Sequence, residues 1–171
     1  MHEADFPILP IRCRLANLSA IAHSSGEATS TLSLDYPFTL AVTVDFLGTG
    51  AIALLRLQPQ ICVEFYAKPV IAGGTLDLGL VSEEAIASVS SYRLEHLVES
   101  PGEAGLTPGT VYHLGALLRV GAPGGPALIA GVQESLMVEV YALESAAADE
   151  AMTAHTARRQ SRNGKKRVSP G

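Results

Sequence analysis

The sequence predicts an all-β fold, a Greek-key β-sandwich of about eight antiparallel strands. Apolar and polar residues alternate with a period of two in most of the apolar segments, which is typical of strands with one face on a core. The 16 glycines and 10 prolines divide these segments into short runs and so favour turns over long helices. The fairly regular spacing of the predicted strands favours a sandwich over a closed barrel.

The first strands are predicted from this alternation. One strand begins near Ile11, and its phase slips near Asn17 as it does at a β-bulge. The clearest strand covers 38–47, with its even-numbered residues facing the core. Residues 51–57 follow a glycine-containing turn and are predicted to pair with 38–47 as a β-hairpin.

The later strands are predicted in the same way. Residues 82–87 fit either one helical turn, capped by Ser82, or a loop. Further segments with strand alternation are 61–68, 76–80, 89–98 and 128–143. In the last of these, the residues predicted to face the core are Val132, Leu136, Val138 and Val140.

A tight corner opens the strand pattern that extends to Val120. Pro108 fixes φ for a turn, and Gly109 can adopt the positive φ that follows it. The motif Leu106-x-Pro108-Gly109-Thr110-x-Tyr112 resembles the corner before the F strand of fibronectin type III and other immunoglobulin-like sandwiches. The resemblance implies an immunoglobulin-like fold in which the Tyr112 hydroxyl bonds to upstream backbone as a tyrosine corner. Tyr112 is therefore predicted to be a core residue with a satisfied hydroxyl rather than a ligand-binding one.

Charge is distributed unevenly along the chain. Residues 1–150 contain all 17 Asp and Glu but only six of the 12 Lys and Arg, a net charge of −11, whereas residues 151–171 carry +6. We expect an N-terminal arm at 1–10, a sandwich domain at 11–145, and an Ala-rich then basic tail at 146–171 that is disordered because of its composition. The cations of this candidate partner-binding tail are Arg158, Arg159, Arg162, Lys165, Lys166 and Arg167.

The charge pattern also limits the partners. The acidic head disfavours nucleic acid, because it repels phosphate. The basic tail fits an acidic protein partner or the acidic head of this chain equally well. The N-terminus lacks the basic and apolar regions of a signal peptide, and no apolar run is long enough to span a membrane, so we expect a cytoplasmic location.

The sequence contains no motif that predicts catalysis, a cofactor or a metal site. There is no Gly-x-Ser-x-Gly elbow, and the five histidines lack metal-ligand spacing. His96 and His113 could approach each other only if their strands paired. Cys13 and Cys62 are predicted to be two free, buried thiols rather than a disulfide. We therefore expect no enzyme activity.

Several apolar residues fall on the predicted solvent side of the strands. An inexact assignment of the inward and outward positions would explain some of these residues. A subunit interface would explain more of them, because monomers rarely expose a broad apolar patch. The sequence thus predicts a non-catalytic protein-interaction or self-assembly module that forms a homo-oligomer. The alternative is a small-ligand-binding protein with a pocket between sheets or loops. The candidate interface residues are Tyr66, Leu117, Met137 and Tyr141.

Overall fold

The structure is a computed structural model that describes residues 10–143. These residues are mostly in strands, which confirms the predicted all-β fold class. The predictions for the N-terminal arm before residue 10 and for the basic tail lie outside the described residues. In chain order the elements are β1 (Arg12–Ala22), β2 (Thr31–Ser33), β3 (Phe38–Leu47), α1 (Ala51–Leu55), β4 (Gln60–Pro69), β5 (Leu76–Glu84), β6 (Ser91–Val98), β7 (Val111–Gly121) and β8 (Ala127–Tyr141).

The strands form two sheets around one hydrophobic core. The three-stranded sheet has the order β1-β3-β6, and the five-stranded sheet has the order β2-β8-β7-β4-β5. Neighbouring strands are antiparallel except β2 and β8, which pair in parallel from Thr31 opposite Glu139 to Ser33 opposite Tyr141. The prediction of antiparallel strands alone is therefore wrong for β2, whose three residues are too few to show a period in the sequence.

The core is built from alternate residues of strands in both sheets. The even-numbered residues of β3 are all buried, as predicted. In the five-stranded sheet, β4 contributes Ile61, Val63, Phe65 and Ala67. No polar or charged residue within 10–143 is fully buried, so the stability of the domain depends on apolar burial rather than on paired internal charges.

Bulges in β1, β5 and β8 change which residues face the core. The bulge in β1 lies where the sequence predicts it: Asn17 has a φ of 56°, and the register with β3 shifts between Ala16 and Ser19. A second bulge lies in β8, where the register with β7 skips Ser135. One extra residue exchanges the two faces of a strand from that point onward.

The β8 bulge overturns one prediction. Residues with odd numbers point inward before the bulge, and residues with even numbers point inward after it. Val138 and Val140 are buried and Leu136 is half-buried, as predicted, but Val132 is 62% exposed. The prediction that Val132 faces the core is therefore wrong, because a single alternating phase was extended across the bulge.

The prediction of a strand at 51–57, paired with β3 as a hairpin, is also wrong. The buried residues of α1 are Ala51, Leu54 and Leu55, which have the i, i+3, i+4 spacing of one helix face. A run of consecutive apolar residues hides that spacing, because its inward and outward positions are both apolar. The helix carries the chain from β3 in one sheet to β4 in the other. No helix in the described part of the chain is long and apolar enough to cross a membrane.

The corner before β7 has the hydrogen bond that its motif implies. Tyr112 is 2% exposed, and its hydroxyl accepts from the backbone N–H of Thr107 at 3.1 Å. Gly109 adopts a φ of 73°, and its N–H donates to the carbonyl of Val140 at 2.7 Å. The corner thus joins the start of β7 to the end of β8, and Tyr112 is a core tyrosine with a satisfied hydroxyl.

A second tyrosine holds the loop after β5. The segment 82–87 begins as the end of β5 and continues as a loop, so the alternative of a helical turn is wrong. The backbone N–H of Ile86 donates to the Tyr92 hydroxyl at 2.7 Å, and this hydroxyl donates to the Ile86 carbonyl at 3.1 Å. The Tyr92 ring packs edge-on against Phe46 in the core, with 5.9 Å between the ring centroids.

The register of β3 predicts opposite effects for two neighbouring substitutions. Val44→Asp should unfold the domain, because it buries an unpaired charge at a cost above about 4 kcal/mol. Thr43→Asp is the matched control: Thr43 points away from the core beside Arg93, so the change should cost less than about 1 kcal/mol. Urea unfolding followed by circular dichroism measures both. Equal tolerance of the two changes would contradict this register.

The corner predicts a cost for removing one hydroxyl. Tyr112→Phe should lower the free energy of unfolding by about 1–2 kcal/mol, because the Thr107 N–H loses its acceptor in a partly buried position. Tyr141→Phe removes the same atom from an exposed ring and should change the free energy of unfolding by less than about 0.5 kcal/mol. Chemical denaturation of the two variants is the measurement, and equal effects would show that the corner hydrogen bond is unimportant.

Candidate interaction surface

One side of the five-stranded sheet faces away from the core and carries a row of apolar residues. The row runs from Leu80 on β5 through Glu64 on β4 and Leu117 on β7 to Val132 on β8. Side chains directly opposite each other on a sheet lie about 4.5–5.5 Å apart at Cβ, so Leu117 and Val132 are direct neighbours, whereas the charged Glu64 separates Leu80 from Leu117. Leu80 is 51% exposed, and Val132 is more exposed still. We call this side the outer face; its apolar residues include Tyr66, Leu80, Leu117, Val132, Met137 and Tyr141.

The structure places all four predicted interface residues on the outer face. Met137 and Tyr141 of β8 are exposed, whereas Tyr66 of β4 and Leu117 of β7 are partly covered by their neighbours. The prediction that these side chains point away from the core is confirmed. Their role as an interface stays a prediction.

Two residues of the outer face were missed by sequence reasoning, and both lie beside a bulge. Val132 precedes the bulge in β8. Leu80 alternates with Leu78 in the predicted strand 76–80, but the register of β5 with β4 shifts, so that Leu80 pairs with the outward-facing Glu64 while Leu78 is buried. Apolar residues of β5 alternate regularly through this shift, so its signal in the sequence is Gly79, a glycine inside a strand pattern, which adopts a φ of 117° at the bulge.

Tyr66 is held flat against the sheet. A Cβ atom built at Gly115, its partner on β7, would overlap the Tyr66 ring. The ring therefore lies over the backbone of β7, and its hydroxyl donates to Oε2 of Glu134 on β8 at 3.1 Å. Burial, followed by this hydrogen bond, raises the pKa of Tyr66 above its usual value, so the hydroxyl stays protonated at neutral pH. The contact gives the outer face a rigid aromatic centre that spans three strands.

The charges of the outer face are unequally placed. On the β4 side, Glu64 is paired with Arg119, with 3.7 Å between the carboxylate and the guanidinium. On the other side, β8 contains Glu134 and Glu139 but no lysine or arginine. Both glutamates lie on the outer face, since Glu134 pairs with Gly115 and Glu139 with Val111. The part of the outer face along β8 is therefore apolar and acidic together.

A pocket of about 220 Å³ lies where the outer face meets the β7–β8 turn. Its side chains include Gln60, Cys62 and Arg119. The amide of Gln60 donates to the Ser82 hydroxyl at 2.6 Å, so one polar group of the pocket is already satisfied. Sites for drug-sized ligands usually measure about 300–1,000 Å³, so the pocket suits at most a small ligand.

The cysteines and histidines considered from the sequence do not converge. Cys13 of β1 packs against the core and Cys62 lies on the outer face, so both thiols are free, as predicted, although each is half-buried rather than buried. Burial, with a smaller effect of Asp45, raises the pKa of Cys13 to about 11. His96 and His113 lie on strands of different sheets. Within residues 10–143, no three metal-ligating side chains come together.

Comparisons with known proteins give no family. No family description and no curated protein matches the chain. Among solved structures, a β-glucosidase from Listeria innocua in complex with isofagomine has 14% sequence identity and a TM-score of 0.42, over 79% of this chain and 17% of that one. The chain thus spans about a sixth of the enzyme's length.

Two other solved structures are equally distant. The alkylpurine DNA glycosylase AlkC of Pseudomonas fluorescens, bound to DNA containing an abasic site analog, has 12% identity and a TM-score of 0.41, over 75% of this chain and 30% of that one. AggA, the major subunit of aggregative adherence fimbriae type I from Escherichia coli, has 9% identity and a TM-score of 0.35, over 83% and 100%. Similarity this weak assigns neither a family nor a function.

The placement of Tyr66 predicts a coupled pair of substitutions. Gly115→Ala should lower the free energy of unfolding by about 1–3 kcal/mol, because the added methyl group displaces the Tyr66 ring. Gly74→Ala is the matched control, since a Cβ there meets nothing within 4 Å. In a Tyr66→Ala background, most of the cost of Gly115→Ala should disappear. A double-mutant cycle measured by denaturation tests this, and strictly additive costs would rule out contact between the ring and Gly115.

Proposed function

We propose that this protein is a non-catalytic interaction module that self-associates through the outer face. The observation that supports the proposal is a set of apolar residues on this face: Leu117 beside Val132, Leu80 on the far side of Glu64, and Met137 and Tyr141 farther along β8. The domain has no use for these side chains in its own core, because they lie on the opposite side of the sheet. A broad apolar surface of this kind is typical of a protein-binding site.

The expected association is weak to moderate. Burying a few hundred Å² of apolar surface on each subunit contributes several kcal/mol, at about 25 cal/mol per Å². Association also costs an estimated 4–15 kcal/mol in lost translational and rotational freedom. Tyr66 reduces the further cost of ordering side chains, because its ring is already held against Gly115 and Glu134. We therefore expect an oligomer whose population depends on concentration.

The proposal includes an immunoglobulin-like fold. The order β1-β3-β6 corresponds to strands A, B and E of such sandwiches, and β8-β7-β4-β5 corresponds to G, F, C and C′. The hydrogen bond of Tyr112 at the start of β7 supports the same assignment. A cytoplasmic location is also part of the proposal, and it agrees with the two free thiols.

The proposal predicts that one charge on the outer face breaks the oligomer. Leu117→Lys should shift the protein to monomer while its β-sheet circular dichroism stays unchanged, because the site is on the surface. Leu97→Lys is the matched control: Leu97 is exposed on the outward side of the three-stranded sheet, and this change should leave the oligomer intact. Sedimentation at about 100 μM, where even a micromolar interface is mostly occupied, measures both.

Two results would contradict the proposal. One is a native chain that sediments as a monomer at this concentration, and the other is equal dissociation by Leu117→Lys and Leu97→Lys. If the native chain is a monomer, the alternative function is the binding of a small ligand, and the pocket beside Arg119 is the site to test.

A further inference from the structure

The chain leaves the domain at the edge of the outer face. Tyr141, the last residue of β8, has its ring on that face. Two residues later, the backbone N–H of Leu143 donates to the carboxylate of Asp35 at 3.1 Å, which fixes the direction of the last described residue. The described part of the chain therefore ends two residues after Tyr141, at the β8 edge of the outer face, and residues 144–171 follow in the sequence.

The charges of the two parts are complementary. Residues 10–143 contain 12 Asp and Glu and six Lys and Arg, a net charge of −6, whereas residues 151–171 carry +6. The acidic groups of β8 on the outer face are Glu139, four residues before Leu143, and Glu134, nine residues before it, and β8 supplies no cation to neutralise them. A basic segment attached at this edge meets negative charge first, and opposite charges within a Debye length of about 8 Å attract at physiological salt.

The attachment is long enough to reach both glutamates. Fourteen residues lie between Leu143 and Arg158, and the fifteen steps from one to the other span at most about 50 Å. Glu139 and Glu134 precede Leu143 by four and nine residues on a strand that rises about 3.3 Å per residue, so the farther one is about 30 Å away. A tether that matches the span raises the local concentration of the segment to roughly the millimolar range.

We infer that the basic segment 158–167 of this chain docks on the acidic side of its own outer face, beside Glu134 and Glu139, and competes there with a second copy of the protein. The occupant is this segment because its tether gives it a far higher local concentration than a free partner. The competition rests on the proposed function, but the docking does not. A protomer whose segment is docked roughly half of the time binds a second copy about twofold more weakly.

A single tryptophan can report the docking, because the chain has none. In the full chain with Val168→Trp, the anisotropy of Trp emission should be high at low salt, where the segment is held, and should fall as salt releases it. Adding Glu134→Lys and Glu139→Lys should lower the low-salt anisotropy to the high-salt value. The matched control is Glu27→Lys with Glu103→Lys, an equal change of charge on exposed loops, and it should keep the anisotropy high. Circular dichroism checks that each variant is folded.

Three results would overturn the docking. They are an anisotropy that does not depend on salt, an equal loss in the control variant, and a loss on dilution, which would mean that the segment binds a second copy instead. These measurements are made on dilute monomer, so their outcome does not depend on whether the protein self-associates.

Sedimentation of the full chain tests the competition separately. Replacing the six tail cations by glutamine should tighten self-association by about twofold or more at low salt, and the difference from the native chain should vanish at high salt. If the oligomer forms through the outer face but its affinity does not change when the six cations are replaced, the competition is overturned and the proposed function still stands. A native chain that stays monomeric would remove the proposed function, while the anisotropy result would still stand.

Discussion

The structure depends on the burial of one side of each sheet against the other. Side chains of a strand alternate between its two sides. When a residue of β3, β4 or β7 points into the core, the next residue along that strand therefore points away from the core. The core itself is apolar: no polar or charged residue in the described part of the chain is fully buried, and two tyrosine hydroxyls hold loops at its rim. The apolar side chains of the outer face add nothing to this core.

The bulges determine which residues the outer face contains. In β8, one extra residue at Ser135 turns Val132 outward while Val138 and Val140 remain inside. In β5, the register shift turns Leu80 outward beside Glu64, whose other neighbour is Leu117. A bulge usually re-aims a side chain or ends pairing. Here the bulges of β5 and β8, on either side of the central strands, add Leu80 and Val132 to the two ends of the same outward-facing row.

The same surface connects the two proposals. Its central part is apolar and held rigid by Tyr66, so it suits a flat contact with another apolar surface. Its β8 side is acidic and lies beside the point where the chain leaves the domain, so it suits the basic segment. The two contacts overlap along β8. The apolar contact depends little on salt and the ionic contact depends strongly on it, so ionic strength should shift the balance between them.

The sequence by itself determined the features that depend on local properties. The fold class, the register of β3 and the outward direction of Tyr66, Leu117, Met137 and Tyr141 all follow from alternation along a single strand. The corner at Tyr112 follows from the backbone preferences of Pro108 and Gly109.

Only the tertiary structure decided the features that depend on residues far away in the chain. The helix α1 forms because an apolar run must cross between two sheets, and its pattern alone fits a strand as well. The parallel pairing of β2 and the side on which Val132 and Leu80 lie depend on the register with partner strands. A bulge exchanges the two sides of the strand beyond it, so in β5 and β8, where one alternating phase was read through the bulge, alternation along the strand does not reveal which side meets the core.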